Sequence, residues 1–175
     1  EPDLLIRHAD QAMYQAKLAG KNHYHLFDAE KDRSVRGHHE SVEEIRRGLT
    51  SGQFVLHYQP KVNMRTGSVI GVEALIRWQH PTRGLLLPGT FLPAIEDHPL
   101  AVELGEWVIN QALTQIETWQ NNGLMLPVSV NVSARQFHEP EFVESVLKRL
   151  RTTGAQPSRL RLELTESLML DRKSV

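Results

Sequence analysis

Polar side chains interrupt three apolar segments that otherwise read as β-strands. Glu73, Asn131 and Glu163 each lie within or at the end of such a segment, and Glu166 follows the last one. Burying a carboxylate costs several kcal/mol unless a cation or a hydrogen-bond donor compensates the charge. Polar groups placed in this way on three separate strands therefore indicate a site.

The chemistry of these groups favours a divalent cation. Carboxylate and amide oxygens are hard ligands that suit Mg²⁺ or Mn²⁺, and enzymes build active sites at one end of parallel barrel strands. The alternative is that each side chain faces solvent on a half-exposed sheet, with Glu73 paired to Arg77 four residues along. We favour a shared metal site because three strands repeat the same placement.

The segments that would position these groups alternate between strands and helices. A strand–turn–strand pattern is followed by helix, strand, helix and strand, which predicts an α/β fold with a mostly parallel sheet, either a barrel or a doubly wound sheet. The predicted strands are 54–62, 68–78, 127–133 and 160–165, and the predicted helices are 102–120 and 141–151. The turn at 63–67 would make the first two strands a hairpin.

The N-terminal part reads differently. A helix over 4–19 and a short strand over 21–27 are followed by a polar segment that is a linker or an exposed helix. A second helix is predicted over 40–49, because Ser41 and Glu44 form a capping-box pattern at its start.

Composition excludes several classes of protein. The 175 residues carry a net charge of −1 and no cysteine, so we expect no nucleic-acid polymer as partner, no disulfide and no thiolate metal site. No apolar run reaches the length of a membrane helix. We therefore expect a cytoplasmic chain with no membrane segment of its own, whose parent protein could be anchored through upstream segments.

Five motifs, in this order along the chain, resemble the EAL family of cyclic-di-GMP phosphodiesterases. Glu73-Ala74-Leu75 alone would be weak, because three letters recur by chance in many proteins. The surrounding motifs make the resemblance specific. They are Tyr58-Gln59-Pro60, Phe91-Leu92-Pro93, Asn131-Val132-Ser133 and Glu163-Leu164-Thr165-Glu166-Ser167.

The resemblance implies a TIM-like (β/α) barrel with an early antiparallel strand, of which about half is present. It implies metal ligands at Glu73, Asn131 and Glu163, and a catalytic set of Glu73, Glu163 and Glu166, the last of which steadies an active-site loop. It further implies that Arg77 contacts a substrate phosphate, and that Gln59 and Pro93 line the nucleotide site.

The implied reaction is hydrolysis of cyclic-di-GMP to linear pGpG with Mg²⁺ or Mn²⁺. The alternative function is a receptor or interaction module that binds cyclic-di-GMP without cleaving it. The site residues present here match the enzyme, and the paired aspartates of the family have no counterpart in this sequence. We therefore expect the 175-residue chain to be inactive alone. A half-barrel with unpaired edges would aggregate or pair with another chain, and a homodimer through the EAL part is one such arrangement.

Residues 9–22 resemble the end of a GGDEF domain, the diguanylate cyclase fold. The sequence there runs Ala9-Asp10-Gln11-Ala12-Met13-Tyr14 and later Gly20-Lys21-Asn22. The resemblance implies a helix–strand remnant of a preceding α/β domain over 1–28, a linker over 29–39 and the N-terminal half of an EAL domain over 40–175.

Overall fold

The computed structural model describes residues 29–164, with side chains from residue 37 onward. The chain divides into two compact units, residues 1–40 and 41–175, and each is described by itself. The predicted helix 4–19 and strand 21–27 lie outside the described residues.

The first described element is a long helix, α1 (Ala29–Thr50). The predicted start near residue 40 is wrong, and the segment 29–39 is helical. Ser41 is therefore inside the helix and does not cap it. The reason is that residues 29–40 contain no proline and are rich in Glu, Lys and Arg, which sustain a helix upstream of a pattern that only resembles a cap.

The predicted hairpin is confirmed. Strands β1 (Phe54–Val62) and β2 (Val69–His80) pair antiparallel. Between them, the side-chain oxygen Oδ1 of Asn63 accepts a hydrogen bond from the backbone N–H of Arg65 at 2.9 Å. Gly67 has φ 69°, a left-handed conformation that favours glycine, so the local turn chemistry fixes the register.

Beyond β2, the following strands of the sheet pair in parallel. A three-residue strand that the sequence did not predict, β3 (Gly84–Leu86), pairs antiparallel with β2. Strands β4 (Val128–Val132) and β5 (Leu160–Leu164) follow, with the order β1-β2-β4-β5. This order advances in one direction, as a barrel requires, whereas a doubly wound sheet reverses. The fold is a partial barrel of mixed α/β type.

Helices connect the parallel strands. After the short helix α2 (Pro88–Phe91) and a 3₁₀ turn (Leu92–Ala94), helix α3 (Leu100–Asn121) leads to β4. Helix α4 (Ala134–Phe137), helix α5 (Phe142–Thr153) and a second 3₁₀ turn (Pro157–Arg159) lead to β5. Helices α3 and α5 lie close to their predicted ranges, and α5 ends at Gly154 with φ 72°.

The hydrophobic core fills the space between the sheet and α3. Along β2 the buried side chains alternate, from Val72 through Ala74 and Ile76 to Trp78, and on β4 they are Val128, Val130 and Val132. Leu104, Leu113 and Ile116 of α3 are among the buried helical residues that complete this core. Glu73, Asn131 and Glu163 lie on the other face of the sheet, as expected from the alternation of side chains along each strand.

No helix within residues 29–164 combines the length and hydropathy that crossing a membrane demands.

Helix α1 approaches the sheet closely at Gly48. A Cβ atom there would lie 2.9 Å from Nε1 of Trp78, whose ring is 1% exposed, stacks on Phe54 and donates to Gln53. We expect Gly48→Ala to destabilise the fold by about 1–3 kcal/mol, because the buried ring cannot move away. Gly37→Ala on the same helix is the control, since a Cβ there meets nothing within 4 Å. Thermal melting of both variants tests this, and equal melting temperatures would contradict it.

Burial of Tyr58 against Trp119 raises the pKa of the phenol to about 12. Folding then holds the Tyr58 proton at pH values where the unfolded chain releases it, so stability falls as pH rises from about 10 to about 12. We expect Tyr58→Phe, which keeps the ring and removes the titration, to lose less stability over this interval. Urea unfolding at several alkaline pH values measures the difference, and parallel losses in both proteins would refute the assignment.

Candidate functional site

One face of the sheet collects polar side chains from four strands, and we call it the polar face. Parallel register places Glu73 beside Ser129, and Asn131 beside Glu163. Antiparallel register places Gln59 opposite Glu73. Because register partners point to the same side of a sheet, these residues share one face. The polar face includes Gln59, Lys61, Glu73, Arg77, Ser129, Asn131 and Glu163.

Two of the three predicted metal ligands are in direct contact. The amide nitrogen Nδ2 of Asn131 donates a hydrogen bond to Oε1 of Glu73 at 2.7 Å. This bond joins neighbouring strands β2 and β4. It holds the Glu73 carboxylate toward the middle of the polar face, on the side where Asn131 and Glu163 lie.

Lys61 and Ser129 belong to this cluster, and sequence reasoning missed both. The ammonium group of Lys61 donates to Oγ of Ser129 at 2.9 Å and to Oε1 of Glu163. Ser129 is only 2% exposed, although serine is usually found at the surface. The available signal was alternation, because Lys61 lies two residues beyond Gln59 and Ser129 two before Asn131.

The charges on the polar face favour an ionised Glu163. Hydrogen bonds from Lys61, and then from Ser129, hold the pKa of the Glu163 carboxyl below its ordinary value. Desolvation opposes this, while the charges of Lys61 and Arg161 add to the lowering. Glu163 is therefore a carboxylate at neutral pH, which is the form that binds cations.

Arg77 and Pro93 make no described contact with Glu73, Asn131 or Glu163. Arg77 makes no described ion pair with Glu73 within residues 37–164, and its Nη1 instead donates to the carbonyl of Ile76 at 2.9 Å. Glu73 therefore does not form the ion pair with Arg77 that was the alternative interpretation, and it is hydrogen-bonded to Asn131 instead. Pro93 is exposed in the first 3₁₀ turn, and no described contact joins it to the polar face. Glu166 lies outside the described residues.

The donor set fits a hard divalent cation. Glu73, Asn131 and Glu163 present two carboxylates and an amide from three adjacent parallel strands, and oxygen ligands of this kind suit Mg²⁺ or Mn²⁺. Within the described part of the chain, no three His, Cys, Asp or Glu residues are grouped so as to hold a metal ion. The candidate set therefore depends on the Asn131 amide as its third ligand.

The sequence matches the EAL domain family over residues 42–175. The chain belongs to the EAL-domain family. The match begins within α1 and includes every strand of the sheet, so the polar face lies entirely inside the EAL domain.

Among curated relatives, MucR of Pseudomonas aeruginosa, a bifunctional diguanylate cyclase/cyclic di-GMP phosphodiesterase, is 43% identical over 93% of this chain and 24% of its own length. The cyclic di-GMP phosphodiesterase PdeR of Escherichia coli is 38% identical over 95% of this chain and 25% of its own length. This chain thus spans about a quarter of these relatives. The solved complex of PaMucR phosphodiesterase with c-di-GMP superposes with TM-score 0.71 at 43% identity, over 77% of this chain and 56% of that one.

The contact between Asn131 and Glu73 gives a test that needs no ligand. Asn131→Asp would place a second carboxylate 2.7 Å from Glu73. Repulsion raises the pKa of one carboxyl in the folded EAL domain, so stability is lost as pH rises through that pKa. We expect a loss on the order of 1 kcal/mol between pH 4 and pH 7, measured in EDTA by thermal melting.

The matched control is Asn110→Asp. The side-chain oxygen of Asn110 accepts a hydrogen bond from Arg149, so the same new charge there meets a cation. Asn110→Asp should keep its stability at pH 7. Equal losses in both variants would show that the Asn131–Glu73 contact is not formed.

Proposed function

We propose that this chain is the part of a cyclic-di-GMP phosphodiesterase that carries the EAL sequence, and that the whole enzyme hydrolyses one phosphodiester bond to give linear pGpG. The observation that supports this is the alignment of Glu73, Asn131 and Glu163 on three adjacent strands of one polar face. MucR and PdeR are both named as cyclic di-GMP phosphodiesterases, which supports the substrate and the type of bond cleaved.

The metal site we propose uses Glu73, Asn131 and Glu163 as ligands for Mg²⁺ or Mn²⁺, with Glu166 steadying a neighbouring loop. Bound divalent ions in such sites lower the pKa of water and neutralise phosphate charge. The chain's own contribution is orientation. Asn131 holds Glu73 by a hydrogen bond, and Lys61 with Ser129 holds Glu163. Both carboxylates then face the same space.

Substrate binding is proposed for Arg77, Gln59 and Pro93. Arg77 follows Glu73 by four residues on β2, so both point to the polar face, and its described hydrogen bond uses only Nη1. The other N–H groups of its guanidinium can bind a phosphate oxygen, and a planar fork does so with two parallel bonds. Gln59 is the register partner of Glu73, which supports a contact between its side chain and a nucleotide held over the carboxylates.

We also propose that residues 1–28 end a GGDEF-type domain, with 29–39 as a helical linker. MucR, which matches 93% of this chain, is described as both a cyclase and a phosphodiesterase. That supports a tandem arrangement in the protein that carries this chain.

The first test is turnover of cyclic-di-GMP to pGpG with Mg²⁺ or Mn²⁺, run on the protein at its natural length and on the 175-residue chain. We expect the natural-length protein to be active and the 175-residue chain to be inactive, because the paired aspartates of the family have no counterpart in its sequence. Binding without turnover by the natural-length protein would instead support the receptor function.

The matched pair of variants in the natural-length protein is Glu73→Gln and Glu144→Gln. Glu73→Gln removes the proposed ligand charge while keeping its shape, and should lower kcat by at least about a hundredfold. Glu144 is exposed on α5, where it pairs with Arg151, so its variant should keep full activity. Retained activity in Glu73→Gln would rule out the proposed metal site.

A further inference from the structure

The side chain of Lys61 reaches across the polar face, from the strand at one edge of the order β1-β2-β4-β5 to the strand at the other edge. Strand β1, which carries Lys61, and strand β5, which carries Glu163, are separated by β2 and β4 in the strand order. In a flat sheet, three spacings of about 4.8 Å would separate these strands, which is farther than a lysine reaches. Their side chains nevertheless bond directly. The sheet is therefore strongly curved, with the polar face on its concave side.

The backbone around Lys61 suits this reach. Its register partner on β2 is Gly71, which places no side chain beside the lysine stem. The register shifts between Lys61 and Val62, as it does at a β-bulge. Bulges bend a strand and re-aim the side chains next to them, and they are common beside active sites.

The ammonium group of Lys61 makes two hydrogen bonds that hold the side chains of Ser129 and Glu163. The ammonium group binds one carboxylate oxygen, Oε1, and the hydroxyl of Ser129 on the strand between. The register places Asn131 directly beside Glu163, so the carboxylate held by Lys61 lies on the same face as the Asn131–Glu73 pair.

We propose that Lys61 is the positioning residue of the metal site, holding Glu163 and Ser129 so that the carboxylate stays beside Asn131 and Glu73. The proposal rests on the function proposed above. Partners that hydrogen-bond to a ligating carboxylate fix its orientation, and losing such a partner typically lowers metal affinity by about 10–100-fold. Lys61 itself cannot bind the metal, because an ammonium group has only donors.

The alternative role of Lys61 is to compete with the metal ion for the Glu163 carboxylate. A lysine beside a carboxylate repels an arriving divalent cation, and if repulsion dominated, removing the charge would tighten metal binding. Positioning and competition therefore predict changes of opposite sign in metal affinity when Lys61 is replaced by a neutral residue. That difference decides between them without measuring turnover.

The experiment measures Mn²⁺ affinity by titration calorimetry in the natural-length protein. We expect Lys61→Met to weaken Mn²⁺ binding by about 10–100-fold and Lys61→Arg to recover part of the loss. Lys148→Met, at an exposed site on α5, is the control and should bind Mn²⁺ normally. Unchanged or tighter binding in Lys61→Met would overturn the proposal. Should Lys61→Met not fold, Lys61→Gln gives the same reading.

A second measurement separates this inference from the proposed function. In EDTA, with neither metal nor substrate, the thermal stabilities of Lys61→Met, Glu163→Gln and the double variant form a double-mutant cycle. We expect the double variant to melt no lower than the less stable single variant, since one contact is lost only once. Strictly additive shifts would overturn the positioning role. If the unmodified protein binds no Mn²⁺, the metal site fails, and this cycle still tests whether Lys61 holds Glu163.

Discussion

The parallel register of β2, β4 and β5 is the constraint on which the rest of the structure depends. It places Glu73 beside Ser129 and Asn131 beside Glu163, while Val72, Val128 and Val130 face the helices. Side chains alternate along a strand, so a slip by one residue would bury the carboxylates under α3 and expose the valines. The hydrophobic core and the polar face therefore require the same register, and burying the core also brings Glu73, Ser129, Asn131 and Glu163 to one face.

The curvature of the sheet is the second constraint. As the strands advance in one direction around a partial barrel, the two ends of the sheet approach each other across the polar face. Lys61 on β1 links the two edges by hydrogen bonds to Ser129 on β4 and Glu163 on β5. A cation at this point offsets carboxylate charge that solvent screens less on a concave surface than on an open one. The geometry that brings Glu73 and Glu163 to one face thus also places Lys61 beside Glu163, where its charge favours the ionised carboxylate.

Features set by neighbours along the chain were predictable from the sequence, and features set by distant contacts were not. Strand β1 was predicted to the residue because alternation and the turn at Asn63 are local. The start of α1 was missed because a cap-like pattern occurs inside a continuous helix. Strand β3 was missed because three residues carry no periodicity. Lys61 was missed as a site residue because its partner Glu163 lies 102 positions away and becomes a neighbour only when the sheet curves.

Asn131 shows why an amide suits the middle of this face. A third carboxylate there would add repulsion 2.7 Å from Glu73, whereas the amide nitrogen donates a hydrogen bond that holds Glu73 in place. The same side chain also carries the oxygen Oδ1, which is the kind of ligand that the proposed cation would take. One residue can therefore hold Glu73 in place and also offer an oxygen to the proposed metal site. An aspartate would offer the oxygen without donating the hydrogen bond, and a hydrophobic side chain would do neither.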